Sequence, residues 1–192
     1  MIGSIAKRYT PRDKYIGVLQ KNYFREPGFA SFKGSTFRSD YCSNETIVVE
    51  NDTSKLWESA SESNSYFIVS FSNRVLRLSH ISMLSCIGRD CAYSLDVYGS
   101  NKGSVWELAC TIRVEKTFFK GSVNNAECKS SYSYQKYKLV QNGTGENGNY
   151  YFPIYYLELF GDLYYKEPII ISRCSCRKHC IHCFIYSLFL LS

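Results

Sequence analysis

The chain has 192 residues, a formal net charge of +6, 16% aromatic residues and only 4 prolines. That length accommodates one domain with a sizeable core, and 17 tyrosines with 12 phenylalanines favour strands. The charge sits on the flanks: residues 1–33 carry seven basic and two acidic side chains, residues 164–192 four and one, and the body between them twelve and fourteen. A slightly acidic body lacks the basic face that nucleic-acid binding requires, so nucleic acid is not an expected partner.

Residues 1–40 read as a basic N-terminal extension. Within it Tyr15, Val18, Leu19 and Tyr23 fall at helical spacing behind Asp13 as a cap, although Gly17 weakens the run. From Thr46 the pattern becomes that of strands, first the β-branched run Ile47, Val48, Val49, then a polar loop leading to Trp57. Phe67, Val69 and Phe71 alternate with Tyr66, Ile68 and Ser70, the period of a half-buried strand. In residues 75–85, Leu76 and Leu78 share one phase while Ile81 and Met83 share the other, and a β-bulge at Ser79 and His80 reconciles them.

Residues 95–113 form the central hairpin. Leu95 and Val97 alternate with Asp96 and Tyr98; Gly99, Ser100, Asn101 and Gly103 supply turn chemistry; Trp106, Leu108, Cys110 and Ile112 then fall on one face. This predicts that Trp106 enters the core. Beyond it come a short strand at 117–119, a polar connection over 120–133, a strand carrying Tyr137 and Leu139, a glycine- and asparagine-rich loop over 141–149, and a closing strand from Phe152 to Phe160. At least seven short strands with almost no helix predict an all-β fold, an antiparallel sandwich or barrel over residues 41–165. Residues 166–192 form a cysteine-rich apolar tail whose last apolar run is too short to cross a bilayer.

Chemistry is sparse. His80 is the only histidine of the body and sits mid-strand, no nucleotide or metalloprotease motif occurs, and Asp90 and Asp96 read as solvated carboxylates, so no enzyme is expected. The tail holds Cys174, Cys176, Cys180 and Cys183 with His179 and His182, enough soft ligands for zinc, but at spacing that fits no familiar zinc module; reactive thiols in an unstructured tail are the favoured reading. Nine cysteines, an odd number, and a start without an apolar leader predict a cytoplasmic chain with free, mostly buried thiols and no disulfide framework. The sequons at Asn44, Asn51 and Asn142 matter only if the chain is secreted.

The run GSNKGSVWELACTI resembles the GSNDGKNWELL hairpin of discoidin domains, the C-type modules of coagulation factors five and eight. Asn51–Thr53 with Trp57, the strand from Ser65 to Phe71, Tyr134 to Val140, and Leu157-Glu158-Leu159-Phe160-Gly161 resemble the rest of that family in the same order. The resemblance covers about residues 43–163 and implies an antiparallel jelly-roll β-sandwich of the galactose-binding-like kind. It implies that both tryptophans pack inside. It also implies a structural Ca²⁺ held by Asp52 and Glu158, although Thr53 stands where the family has glycine.

By the same resemblance, loops at one end of the sandwich would bind a glycan, a phospholipid head or a protein surface. Sugars need aromatic faces and planar polar groups, and Tyr41, Tyr66, Arg89, Asp90, Tyr93, Tyr132 and Asn147 supply them. The expected function is a non-enzymatic recognition module for a glycan or a protein. The alternatives are an interaction scaffold without a small ligand and an accessory domain of a larger enzyme.

Overall fold

A computed structural model describes residues 5–9, 17–38, 44–50, 52, 54–84, 94–113, 124–145 and 148–166. In chain order the elements are β1 (Ile5–Tyr9), α1 (Val18–Tyr23), β2 (Ala30–Gly34), a 3₁₀ turn (Glu45–Val49), β3 (Trp57–Glu58), β4 (Tyr66–Phe71), β5 (Arg74–Leu84) and β6 (Ser94–Ser100). They continue with β7 (Glu107–Arg113), β8 (Asn124–Glu127), β9 (Lys136–Gln141), β10 (Pro153–Ile154) and β11 (Tyr156–Tyr165). The strands form a five-stranded sheet in the order β2-β4-β9-β6-β7, a four-stranded sheet in the order β1-β11-β5-β8, and the small pair β10-β3. Every pairing between these strands is antiparallel. The all-β antiparallel sandwich expected from the sequence is the fold observed, and it also takes in β1 and β2 from the stretch read as an N-terminal extension.

Alternation builds the core. Phe67, Val69 and Phe71 of β4, Leu95 and Val97 of β6, and Tyr137 and Leu139 of β9 are buried on one face of the five-stranded sheet. Leu76, Leu78, Ile81 and Met83 of β5 join Leu157, Leu159 and Leu163 of β11 in the same core. Tyr137 ties the layers together, because its buried hydroxyl donates to the Leu76 carbonyl at 2.5 Å and accepts from the Leu78 N–H at 3.3 Å. Burial drives its pKa well above the ordinary tyrosine value.

The predicted bulge is present. Phe160 pairs with His80 and Gly161 with Leu78, leaving Ser79 as the extra residue that switches the phase of β5. Gly161 has φ +153, and a Cβ there would lie 2.0 Å from the Arg77 carbonyl oxygen, so only glycine fits.

Four expectations are corrected. Ile47, Val48 and Val49 form a 3₁₀ turn instead of a strand: all three are buried in succession, and Asn44 Oδ1 accepts from the Thr46 N–H at 3.3 Å to start the turn. The polar connection contains a strand, β8, which pairs with β5 at the edge of its sheet, where polar side chains are tolerated. Cys110 of β7 and Cys128 just beyond β8 are not free thiols; they form a disulfide that joins the two sheets. Finally, Trp106 is only half-buried and Leu108 is 58% exposed. Val97 pairs with Cys110 but Tyr98 pairs with Leu108, so Ala109 is an extra residue that turns the start of β7 onto the outer face. The strand expected at 117–119 and the tail from residue 167 lie outside the described residues.

Candidate ligand-binding surface

Of the residues expected to bind ligand, Tyr41, Arg89, Asp90, Tyr93 and Asn147 lie outside the described residues. Tyr66 and Tyr132 are described, and the fold does not bring them together. Tyr66 opens β4 opposite Val140, near the end of β9, whereas Tyr132 precedes the start of β9. At about 3.3 Å per residue they stand at opposite ends of that strand. Tyr132 is 67% exposed and meets Tyr134 edge-on at 6.5 Å. The Tyr134 hydroxyl donates to Glu107 Oε2 at 2.7 Å; burial and then that carboxylate push its pKa up to about 12.

Tyr66 belongs instead to the outer face of the five-stranded sheet. The Lys138 ammonium stands 4.5 Å from the centre of the Tyr66 ring and 5.9 Å from that of Trp106, a cation held between two aromatic side chains. Cross-strand partners share a face, so the row Lys33, Ile68, Lys138, Tyr98, Leu108 runs across all five strands. Lys136 lies two residues from Lys138 on the same face.

The β6–β7 hairpin sets the indole in place. Gly103 has φ +82, its N–H donates to Ser100 Oγ at 2.8 Å, and its carbonyl accepts from Trp106 Nε1 at 3.1 Å. Tyr66 was among the residues expected from the sequence, whereas its neighbours Trp106 and Lys138 were not. The available signal was the alternation of Lys136 and Lys138 around buried Tyr137, which marks both lysines as outward.

The two calcium candidates are occupied by other partners. Asp52 Oδ1 accepts from the Ser54 N–H at 3.0 Å and hydroxyl at 2.6 Å, and Lys55 Nζ lies 3.5 Å from Oδ2, which together hold its pKa low. Glu158 is fully buried. Its Oε1 accepts from the Leu19 N–H at 2.6 Å and the Leu159 N–H at 2.8 Å, and its Oε2 from the Gln20 N–H at 2.9 Å.

Glu158 therefore caps α1 across the sequence, satisfying N–H groups that no local side chain reaches. A Cβ on Gly17 would lie 2.5 Å from Glu158 Cγ, so the glycine that weakens the helix pattern admits the carboxylate. Desolvation raises the Glu158 pKa to about 7 against the pull of these N–H donors. A carboxylate ringed by N–H donors does not fit a cation, which needs oxygen ligands. Among the described residues no group of three or more His, Cys, Asp or Glu side chains converges.

His80 is the only histidine among the described residues. Its Nδ1 lies 3.0 Å from Ser79 Oγ, and that hydroxyl donates to the Phe160 carbonyl at 3.2 Å. The Ser79 hydroxyl is thus engaged within the bulge. Among the described residues no helix is long and apolar enough to cross a membrane.

No protein-family model matches the chain. No curated protein matches its sequence. Solved structures do match. A family 32 carbohydrate-binding module from Clostridium perfringens, solved with GalNAc-β-1,3-galactose, is 13% identical with a TM-score of 0.58, over 70% of this chain and 96% of that one. Another from a family 31 glycoside hydrolase of the same organism is 15% identical with a TM-score of 0.58, over 77% and 99%. A chitosan-binding module from Paenibacillus, solved with chitotriose, is 10% identical with a TM-score of 0.55, over 69% and 97%. These likenesses show that the chain shares its fold, a galactose-binding-like β-sandwich, with family 32 carbohydrate-binding modules.

Proposed function

We propose that this chain is a non-enzymatic recognition module that binds a glycan on the surface of its sandwich. The observation that carries this reading is the outer face of the five-stranded sheet, where Tyr66 and Trp106 flank Lys138. Both rings are half-buried, which fixes them while leaving area for the apolar side of a sugar ring. Sheet strands hold such rings more rigidly than loops do, so little order is lost on binding. The fold supports the reading, since the neighbouring structures are carbohydrate-binding modules. The Cys110–Cys128 disulfide supports work in an oxidising compartment, in place of the cytoplasm expected from the sequence.

The test uses the two tryptophans. Trp57 is 1% exposed and Trp106 half-exposed, so ligand-induced changes in fluorescence report on Trp106. A glycan panel should contain at least one sugar that protects the emission from acrylamide, and Tyr66→Ala should weaken that sugar's binding about tenfold with an unchanged melting temperature. A panel in which no glycan at millimolar concentration alters the quenching refutes the reading.

A further inference from the structure

The charge on this face narrows the ligand. Lys33, Lys136 and Lys138 project from the same side of the sheet. The ion pairs formed among the described residues use Arg38, Lys55, Arg74, Arg77 and Lys129, so none of the three lysines is neutralised by a carboxylate there. Among the described residues of these five strands one carboxylate shares the face, that of Asp96, and both its oxygens are engaged: Oδ1 accepts from Thr111 Oγ1 at 2.6 Å and Oδ2 from Asn142 Nδ2 at 2.9 Å. Three ammonium groups without a carboxylate partner, one of them beside two aromatic rings, suit an anionic partner that also has apolar ring faces.

Geometry favours a polymer. Lys33 and Lys138 are two strands apart in one register row, about 10 Å at the usual strand spacing. Tyr66 and Trp106 lie to either side of the Lys138 ammonium. A polysaccharide laid across the strands would meet ring, cation and ring in succession.

We propose that the outer face of the five-stranded sheet binds a polyuronate, with Lys138 pairing with a sugar carboxylate while Tyr66 and Trp106 take the apolar faces of the flanking sugars. The assignment rests on the glycan-recognition reading for its class of ligand and on the lysine array for its charge. No covalent step is involved. Exposed cations make the attraction salt-sensitive.

Affinity electrophoresis and calorimetry on the full chain test the proposal with polygalacturonate, its methyl ester and a neutral galactan. The acid polymer should bind at least tenfold more tightly than the ester, and raising sodium chloride from low to several hundred millimolar should weaken it about tenfold. Lys138→Gln should lose at least tenfold in affinity at an unchanged melting temperature. The double variant Lys33→Gln, Lys136→Gln should lose a similar factor without touching either ring. Equal binding of acid and ester overturns the proposal, as does a Lys138→Gln protein that binds like the parent. Retention by phosphatidylserine vesicles with none by polygalacturonate overturns it in favour of a membrane surface. Binding to galactan alone overturns it while leaving the glycan-recognition reading intact, and binding to no glycan removes both.

Discussion

The two tryptophans show how a single residue's surroundings decide its role. Trp57 packs against Phe67 at 4.9 Å and Phe152 at 6.1 Å between ring centres, and a Cβ on Gly34 would lie 2.1 Å from its Cζ2. Trp57→Ala should therefore cost roughly 3–5 kcal/mol in urea unfolding, whereas Trp106→Ala should cost only about 1 kcal/mol. Similar losses for both would show that Trp106 belongs to the core after all. Glu158 yields a pH prediction. Its carboxyl keeps its proton up to about pH 7 when folded but releases it near the ordinary 4.5 when unfolded. Between those values the folded state binds more protons, so this group's contribution to stability falls as pH rises, by roughly 3 kcal/mol across the window. Urea midpoints of the parent and Glu158→Gln between pH 4 and pH 8 should diverge by that slope; parallel curves would mean that the carboxyl is ionised throughout.

At the scale of elements, long alternating strands were legible and short or irregular segments were not. Phe67, Val69 and Phe71 announced β4, and the phase change between Leu78 and Ile81 located the bulge correctly. The second bulge, at Ala109, gave no such notice, because Leu108 continues the apolar phase of Cys110 and Ile112 and only the pairing with Tyr98 shows it turned outward. β8 was hidden because an edge strand can be polar, and the cap on α1 because its carboxylate comes from 139 residues away. The cysteine pairing was equally invisible, since 18 residues of chain separate two thiols that only the packing of the sheets brings together. Reducing that bond should lower stability by about 3 kcal/mol. Thermal melts with and without dithiothreitol check this, and the Cys110→Ser protein should melt alike in both. For α1, adding millimolar Ca²⁺ to chelator-treated protein should leave the melting temperature unchanged, because N–H donors already satisfy Glu158; a rise of several degrees would show the ion displacing the helix.

For the whole molecule, the division of labour lies between two faces of one sheet. The inner side of β4, β9 and β6 is given over to core packing, while the outer side keeps rings and ammonium groups in a fixed row. With the proposed binding groups held on strands, binding should need no rearrangement, and amide exchange in β4 and β9 should slow on ligand binding with no new protection in α1. The pairing of β1 with β11 has a mechanical side. Ile5 lies beside Tyr164 and Tyr9 beside Gly161, so chain entering β1 and chain leaving β11 pass through the same end of the sandwich. Tension applied through those two points loads the β1–β11 ladder from one end, and its hydrogen bonds open one after another instead of sharing the load. In single-molecule pulling the pair should unzip at low force, and the later extension should be shorter by the loop that the Cys110–Cys128 bond closes, a length recovered when the bond is reduced.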